Sequence, residues 1–234
     1  FIYKSPLVLQ QASSCSASAT TCYIGTYGSS ASTGYISYQG SGLGGLTMNA
    51  ASVVYLGAGT NISTTSSSGM TINLLAYLAT SGSINLSAGT VTLNANGGSI
   101  NLTADSMSLS GTGNVIQSTN GYLNIATYSN TPAISLGTAS TGSLILPTVL
   151  WDGSTSGAAP TSANIGNAIF KPGFTMITVG GSSQTGIIYV DTLATDNFVF
   201  TSPLTLQTSN AGIYIVYLRG TIWDAYRLVG SSYA

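Results

Sequence analysis

Two stretches nearly copy each other: GSINLSAG at 82–89 and GSINLTAD at 98–105, sixteen residues apart, with TVTLNANG fitting the same frame at half that spacing. A fixed period means stacked copies of one supersecondary unit. Within each unit apolar residues alternate with small polar ones: Ile84 and Leu86, Val91 and Leu93, Ile100 and Leu102, Met107 and Leu109. Asn85, Thr92, Asn101 and Ser108 then face the other way. Strict alternation broken by a turn is a strand signal, not a helical one, and an eight-residue unit holds a strand of about five residues and a turn of about three. The texture extends over 35–147, in segments such as GLTMNA, SVVYLG, GMTINLLA, YLNIAT and GSLILPT, and 1–147 carries no helical pattern.

Three architectures fit an eight-residue strand unit. In a trimeric β-prism or triple β-helix, three chains wind together and each unit forms one face. A single-chain solenoid would use sixteen-residue coils. An antiparallel meander would turn through Gly-bearing hairpins such as NANGGS at 94–99. The apolar stripe is two or three side chains wide, so one chain buries little with it and three converging chains bury all of it. That favours the trimer. Copies of Asn85 and Asn101 would form amide ladders, whereas stacked like charges would repel.

Charge is indeed scarce. Only 4% of residues are charged, against roughly 25% in ordinary soluble domains. Between Lys4 and Asp152 the only charged residue is Asp105. With 44% hydrophobic residues and a net charge of −1, the chain lacks the signature of disorder. No apolar run is long enough for a membrane span, and four basic residues make no nucleic-acid footprint. Such chains are buried in an assembly, covered in sugar, or suited to an unusual medium. In acid, ion pairs fail while amide and hydroxyl ladders persist.

The two ends differ from the repeats. Residues 1–34 read as an N-terminal anchor strand, FIYKSPLVLQQ, followed by a Ser-rich linker. Phe1, Ile2, Tyr3, Leu7, Val8 and Leu9 are the anchor, docking into another subunit by strand addition; the simpler alternative is an edge strand of the chain's own fold. Cys15 and Cys22 lie close enough for a disulfide, which suits an oxidising, extracellular setting. The chain starts at Phe1 without Met, which suggests a processed product or a numbering that skips a leader. Residues 35–147 are the repetitive shaft. From 148 to 234 the strands lengthen, as in GIIYVDTL and GIYIVYLRGTIW, and suit a β-sandwich head.

The units GSINLSAG, TVTLNANG and GSINLTAD resemble the β-prism and triple-β-helix stems of viral spikes and tail fibres, including phage cell-puncturing needles and related secretion-system spikes. The layout of short anchor, low-charge shaft and compact C-terminal knob is similar to that of viral fibres. The resemblance implies an all-β fold with a β-prism or triple-β-helix shaft, a homotrimer, and a place on a virion surface. It departs in one respect: needles often end in a His-containing metal tip, and this chain has no His. That favours a receptor-binding or decorative spike over a needle.

Catalysis is poorly supported. Without His, Ser-His-Asp and Cys-His mechanisms are excluded. A glycosidase needs two carboxylates; of the candidates Asp152, Asp191, Asp196 and Asp224, those in DGST and DTLATDN read more simply as turn residues, while Asp152 and Asp224 each follow a Trp, a pairing that occurs in sugar sites. DTLATD at 191–196 lacks the ligand density of a calcium loop. No cofactor or metal is expected. Tyr189, Trp223, Tyr226 and Tyr233 are candidate receptor contacts through sugar stacking, with packing as the ordinary alternative. Asn61, Asn85 and Asn101 open glycosylation sequons, which an Asn-rich repeat also produces by chance. The expectation is a homotrimeric virion spike or fibre. It anchors to a capsid or base protein through residues 1–11 and presents a head to a host-surface receptor or glycan. The alternative is an extracellular microbial filament subunit joined by N-terminal donor-strand exchange.

Overall fold

The computed structural model describes residues 1–10, 23–26, 35–78, 81–86, 89–137, 142–151, 153, 166–191, 197–209, 217–219, 221–224 and 228–231. The chain is almost entirely β. Its strands stack as a parallel solenoid in which each turn visits three faces in order.

The first face runs β1 (Ile2–Tyr3), β4 (Tyr35–Tyr38), β7 (Asn61–Thr64), β10 (Thr92–Asn94), β13 (Val115–Gln117). The second is one sheet of eight strands: β2 (Leu7–Gln10), β5 (Gly44–Ala50), β8 (Met70–Ala76), β11 (Ile100–Thr103), β14 (Tyr122–Ala126), β17 (Met176–Gly180), β20 (Leu204–Gln207), β23 (Leu228–Ser231). The third carries β3 (Tyr23–Thr26), β6 (Val53–Leu56), β9 (Ser83–Asn85) and β12 (Ser106–Ser108). Further along the chain, β16 (Leu144–Leu146), β15 (Ile134–Gly137), β18 (Ile188–Asp191) and β21 (Tyr217–Arg219) form a four-stranded sheet in that order, with β16 lying beside β12. A two-stranded sheet joins β19 (Asn197–Phe200) to β22 (Thr221–Asp224). Each sheet among the described residues is open, with two edges.

The eight-residue unit is therefore one face of a coil, and three units make one turn of a single chain. Ile100 pairs with Leu123, 23 residues on, and with Ile72, 28 residues back. This corrects the sixteen-residue coil. The two near-copies lie on different faces: Ile84 stacks between Val54 and Met107 on the third, Ile100 between Ile72 and Leu123 on the second. It also corrects the meander, because the described strand pairs are parallel and NANGGS is a corner between two faces. Asn96 (φ 44°) and Gly97 (φ 101°) turn that corner in the left-handed region that Asn and Gly tolerate. Backbones also stack closely there: a Cβ on Gly98 would sit 2.0 Å from the Met70 carbonyl oxygen, and one on Gly121 1.9 Å from that of Gly98.

The reason given for a β-prism or triple β-helix also fails. Three faces of the same chain converge on the narrow stripe and bury it. Leu46, Ile72, Ile100 and Leu123 on the second face, Ile62, Leu93 and Ile116 on the first, and Val54 and Ile84 on the third are all 0% exposed. Non-local strands do inside one chain what the sequence assigned to three.

The expected change at 148 is an excursion. After β15 the chain forms β16 and one 3-10 turn, Thr148–Leu150, and returns at Phe170, which bridges to Ile116 on the first face. Leu123 and its partner Ile177 are consequently 54 residues apart. Trp151 is fully buried, its ring edge-on to Phe170 at 4.9 Å and its indole N–H donating to Leu146 O at 3.4 Å. Beyond it, β17, β20 and β23 continue the second face in parallel register, an arrangement unlike the expected sandwich. GIYIVYLRGTIW is not one central strand: β21 and β22 within it belong to different sheets.

Candidate functional site

Positions presented to solvent decide what a solenoid can touch. On the second face, register aligns one outward row from Val8 through Thr47, Asn73, Asn101, Asn124 and Thr178 to Thr205. Asn73 Nδ2 donates to Thr47 Oγ1 at 3.1 Å, Asn101 Nδ2 to Asn73 Oδ1 at 2.6 Å, and Asn124 Nδ2 to Asn101 Oδ1 at 2.7 Å. The amides form a ladder with every donor aimed at the N-terminal end. The ladder expected from the repeat thus exists, but Asn101's partners are Asn73 and Asn124, not Asn85. The signal was present in the sequence as INL at 72–74 and LNI at 123–125, outweighed by the longer match at 82–86. No Asp, Lys or Arg occurs in any of the eight strands.

Tyrosines border this row. Tyr122, two residues before Asn124, is 48% exposed, and Tyr128, just past the end of β14, is 40% exposed. Tyr128 tilts against Tyr77 at a centroid distance of 6.4 Å. Neither Tyr122 nor Tyr128 stood out in the sequence, since exposure among 14 tyrosines cannot be read from alternation alone.

The predicted anchor residues form the solenoid's first coil. Tyr3 is buried and Leu7 and Leu9 pack against the core, while Phe1, Ile2 and Val8 stand exposed at 70%, 57% and 59%. This is the edge-strand alternative: β1 pairs with β4 and β2 with β5. An aromatic cluster closes the corner, with Tyr3 5.4 Å from Tyr38 and 6.3 Å from Phe1. Burial, reinforced by Tyr38, pushes the Tyr3 phenol up to about 12.

The other candidates do not converge. Tyr189 is half-buried in β18 between Ser135 and Tyr217. Trp223 lies in β22, opposite Val199. Tyr226, Tyr233, Cys15, Cys22, Asp152 and Asp196 lie outside the described residues. Asp191 ends β18 and Asp224 ends β22, in different sheets. Asp105 is buried, accepting from Ser129 N at 2.9 Å and Ser129 Oγ at 2.7 Å, so it ties two coils together. Among the described residues no three His, Cys, Asp or Glu side chains cluster as metal ligands, and no helix is long and apolar enough to cross a membrane. Of the sequon residues, Asn61 keeps a buried Oδ1 without a hydrogen-bond partner, Asn85 is half-buried in β9, and the Asn101 amide is held within the ladder.

One cleft of about 650 Å³ opens where the corner at 110–115 meets the returning excursion at Val149, Asn167 and Ile169. Among the described residues its ionic lining group is Lys171, whose Nζ donates to Gly166 O at 2.8 Å.

No protein-family model matches the chain, and comparison with curated proteins and with solved structures found no match either.

Proposed function

We propose that the chain is a structural rod of an extracellular or virion-surface assembly. It holds an attachment surface away from its anchor and plays no catalytic part. The observation that carries this reading is the continuous eight-stranded sheet from β2 to β23. At the usual inter-strand spacing of ~4.8 Å it gives a spine of about 34 Å built from one chain. Asp105, Asp191 and Asp224 lie on different elements, Asp191 at the end of β18 and Asp224 at the end of β22, which supports a mechanical role.

The joining end in this proposal is the first coil. The outer edge of β2 has no described partner strand, and Phe1, Ile2 and Val8 present apolar surface beside it. A further parallel strand there would take the backbone hydrogen bonds and cover Leu7 and Leu9 completely. This favours end-to-end joining, the filament-like form. The homotrimeric spike, anchored to a capsid or base protein, is the second reading. Its support is that the strands of the second face carry no charge to oppose lateral packing of three rods.

Light scattering on the full chain and on a chain lacking residues 1–10 tests both. Association that grows with concentration and disappears on deletion supports end joining. A trimer of about three times 23.6 kDa that persists in both supports the spike and rejects end joining. A monomer under both conditions rejects both.

A further inference from the structure

We propose that the outward side of the second face binds an extended, neutral, β-1,4-linked polysaccharide, laid along the row from Thr47 to Thr178. The proposal rests on the surface-rod reading only for its setting. The chemistry is local.

An asparagine amide has two N–H groups and two acceptor lone pairs. Within the ladder, Asn73 and Asn101 each spend one N–H on the neighbour below and one lone pair on the neighbour above. Each therefore keeps one donor and one acceptor for a ligand. These half-buried groups repeat once per strand, about every 4.8 Å. One sugar residue of an extended β-linked chain advances by about one such step, so its hydroxyls meet a donor and an acceptor at successive strands. The ladder also fixes the amide planes before binding, which lowers the ordering entropy of association.

The margins supply the apolar half of sugar recognition. Tyr122 and Tyr128 leave ring surface exposed at either end of β14, on both sides of Asn124. Next to Tyr122, Met176 occupies the neighbouring strand, where Thr205 Oγ1 donates to its sulfur at 3.0 Å. Aromatic rings take the C–H faces of a sugar while the amides take its hydroxyls.

Charge decides against other polymers. With no Asp, Lys or Arg in the eight strands, the face offers no counter-charge to nucleic acid, uronate chains or anionic lipid. A neutral, hydroxyl-rich chain matches it.

The test is retention of the full chain on microcrystalline cellulose and chitin, and retardation in gels containing soluble β-mannan, at low and high salt. Expected is binding to at least one probe that is insensitive to salt and weakened roughly tenfold by Tyr122→Ala, with Tyr128→Ala adding to the loss. Tyr122 is exposed, so Tyr122→Ala should melt with the parent; Tyr128→Ala gives up its ring contact with Tyr77 and should melt slightly lower but fold, and circular dichroism checks both. Failure of the parent to bind all three probes overturns the proposal. So does binding abolished by salt, or binding that both variants leave unchanged. None of these outcomes bears on the mass of the particle, so the rod reading stands or falls separately.

Discussion

Asn101 sits where two accounts of the repeat disagree. A sixteen-residue stack would place it over Asn85. The observed coil places it between Asn73 and Asn124, with amide hydrogen bonds of 2.6 and 2.7 Å. A double-mutant cycle separates the two. Asn101→Ala removes both bonds. A neutral hydrogen bond contributes about 1 kcal/mol net, and at a half-buried site water recovers part of it, so the expected loss is about 1–2 kcal/mol. For a chain of this size that lowers Tm by about 2–8 °C. Asn73→Ala removes the Asn101 bond and its own donation to Thr47. The pair shares one bond, so the double variant should lose less than the sum, with a coupling of about 0.5–1.5 kcal/mol.

Asn85 and Asn101 lie on different faces, so Asn85→Ala with Asn101→Ala should be additive within about 0.5 kcal/mol. Thermal and urea unfolding of the three single variants, the two double variants and the parent provides every value. Coupling between Asn85 and Asn101 together with none between Asn73 and Asn101 would refute the three-faced coil, and with it the row proposed to bind polysaccharide.

Gly98→Ala and Gly121→Ala should each cost more than about 3 kcal/mol or prevent folding, because the new Cβ meets backbone oxygen at 2.0 and 1.9 Å. Gly42→Ala, with open space around the new methyl, should be near neutral in the same melts. Asn114 is buried, accepts from Val91 N–H, and donates to the carbonyls of Leu86 and Leu109. Asn114→Ala strands three backbone groups and should lose about 3 kcal/mol or more in urea unfolding. The raised phenol of Tyr3 predicts a pH effect with a definite sign. The unfolded chain releases that proton near 10 and the folded chain near 12. Stability of the first coil is therefore complete below pH 10 and declines as pH rises towards 12, read by hydrogen exchange at β1 and β4, and Tyr3→Phe should abolish the decline.

The strands were legible because alternation is local: Ile84, Leu93, Ile100 and Met107 are inward as the pattern requires. What stacks on what was not legible, because register in a solenoid depends on coil length, and coil length depends on corners. The interval between stacked residues is 26 from Leu46 to Ile72 and 23 from Ile100 to Leu123, so no single period survives in the sequence. The one identity that looked periodic, GSINL, marks the same local turn-and-strand geometry on two faces. The width of the stripe likewise suggested extra chains. That inference assumed that a strand's partners must come from other molecules, which a three-faced coil does not need. The candidate site was half visible: the row's Asn101 was singled out, but Tyr122 and Tyr128 gain meaning only once β14 is placed on the outward face.

The scarcity of charge now has a structural reason that bears on function. In a parallel solenoid each outward position repeats at the same place one strand later, so one charge per coil would become a column of like charges about 4.8 Å apart. Thr and Asn instead stack with attraction, as the ladder from Thr47 to Asn124 shows. Between Lys4 and Asp152 the one charged residue, Asp105, is buried, accepts from the N–H and the hydroxyl of Ser129, and has no charged copy above or below it. A rod built this way draws its stability from burial and neutral hydrogen bonds, neither of which salt screens. It should melt at nearly the same temperature in 0.01 M and 1 M sodium chloride. A large salt-dependent shift in Tm would mean that groups other than these ladders hold the coils together.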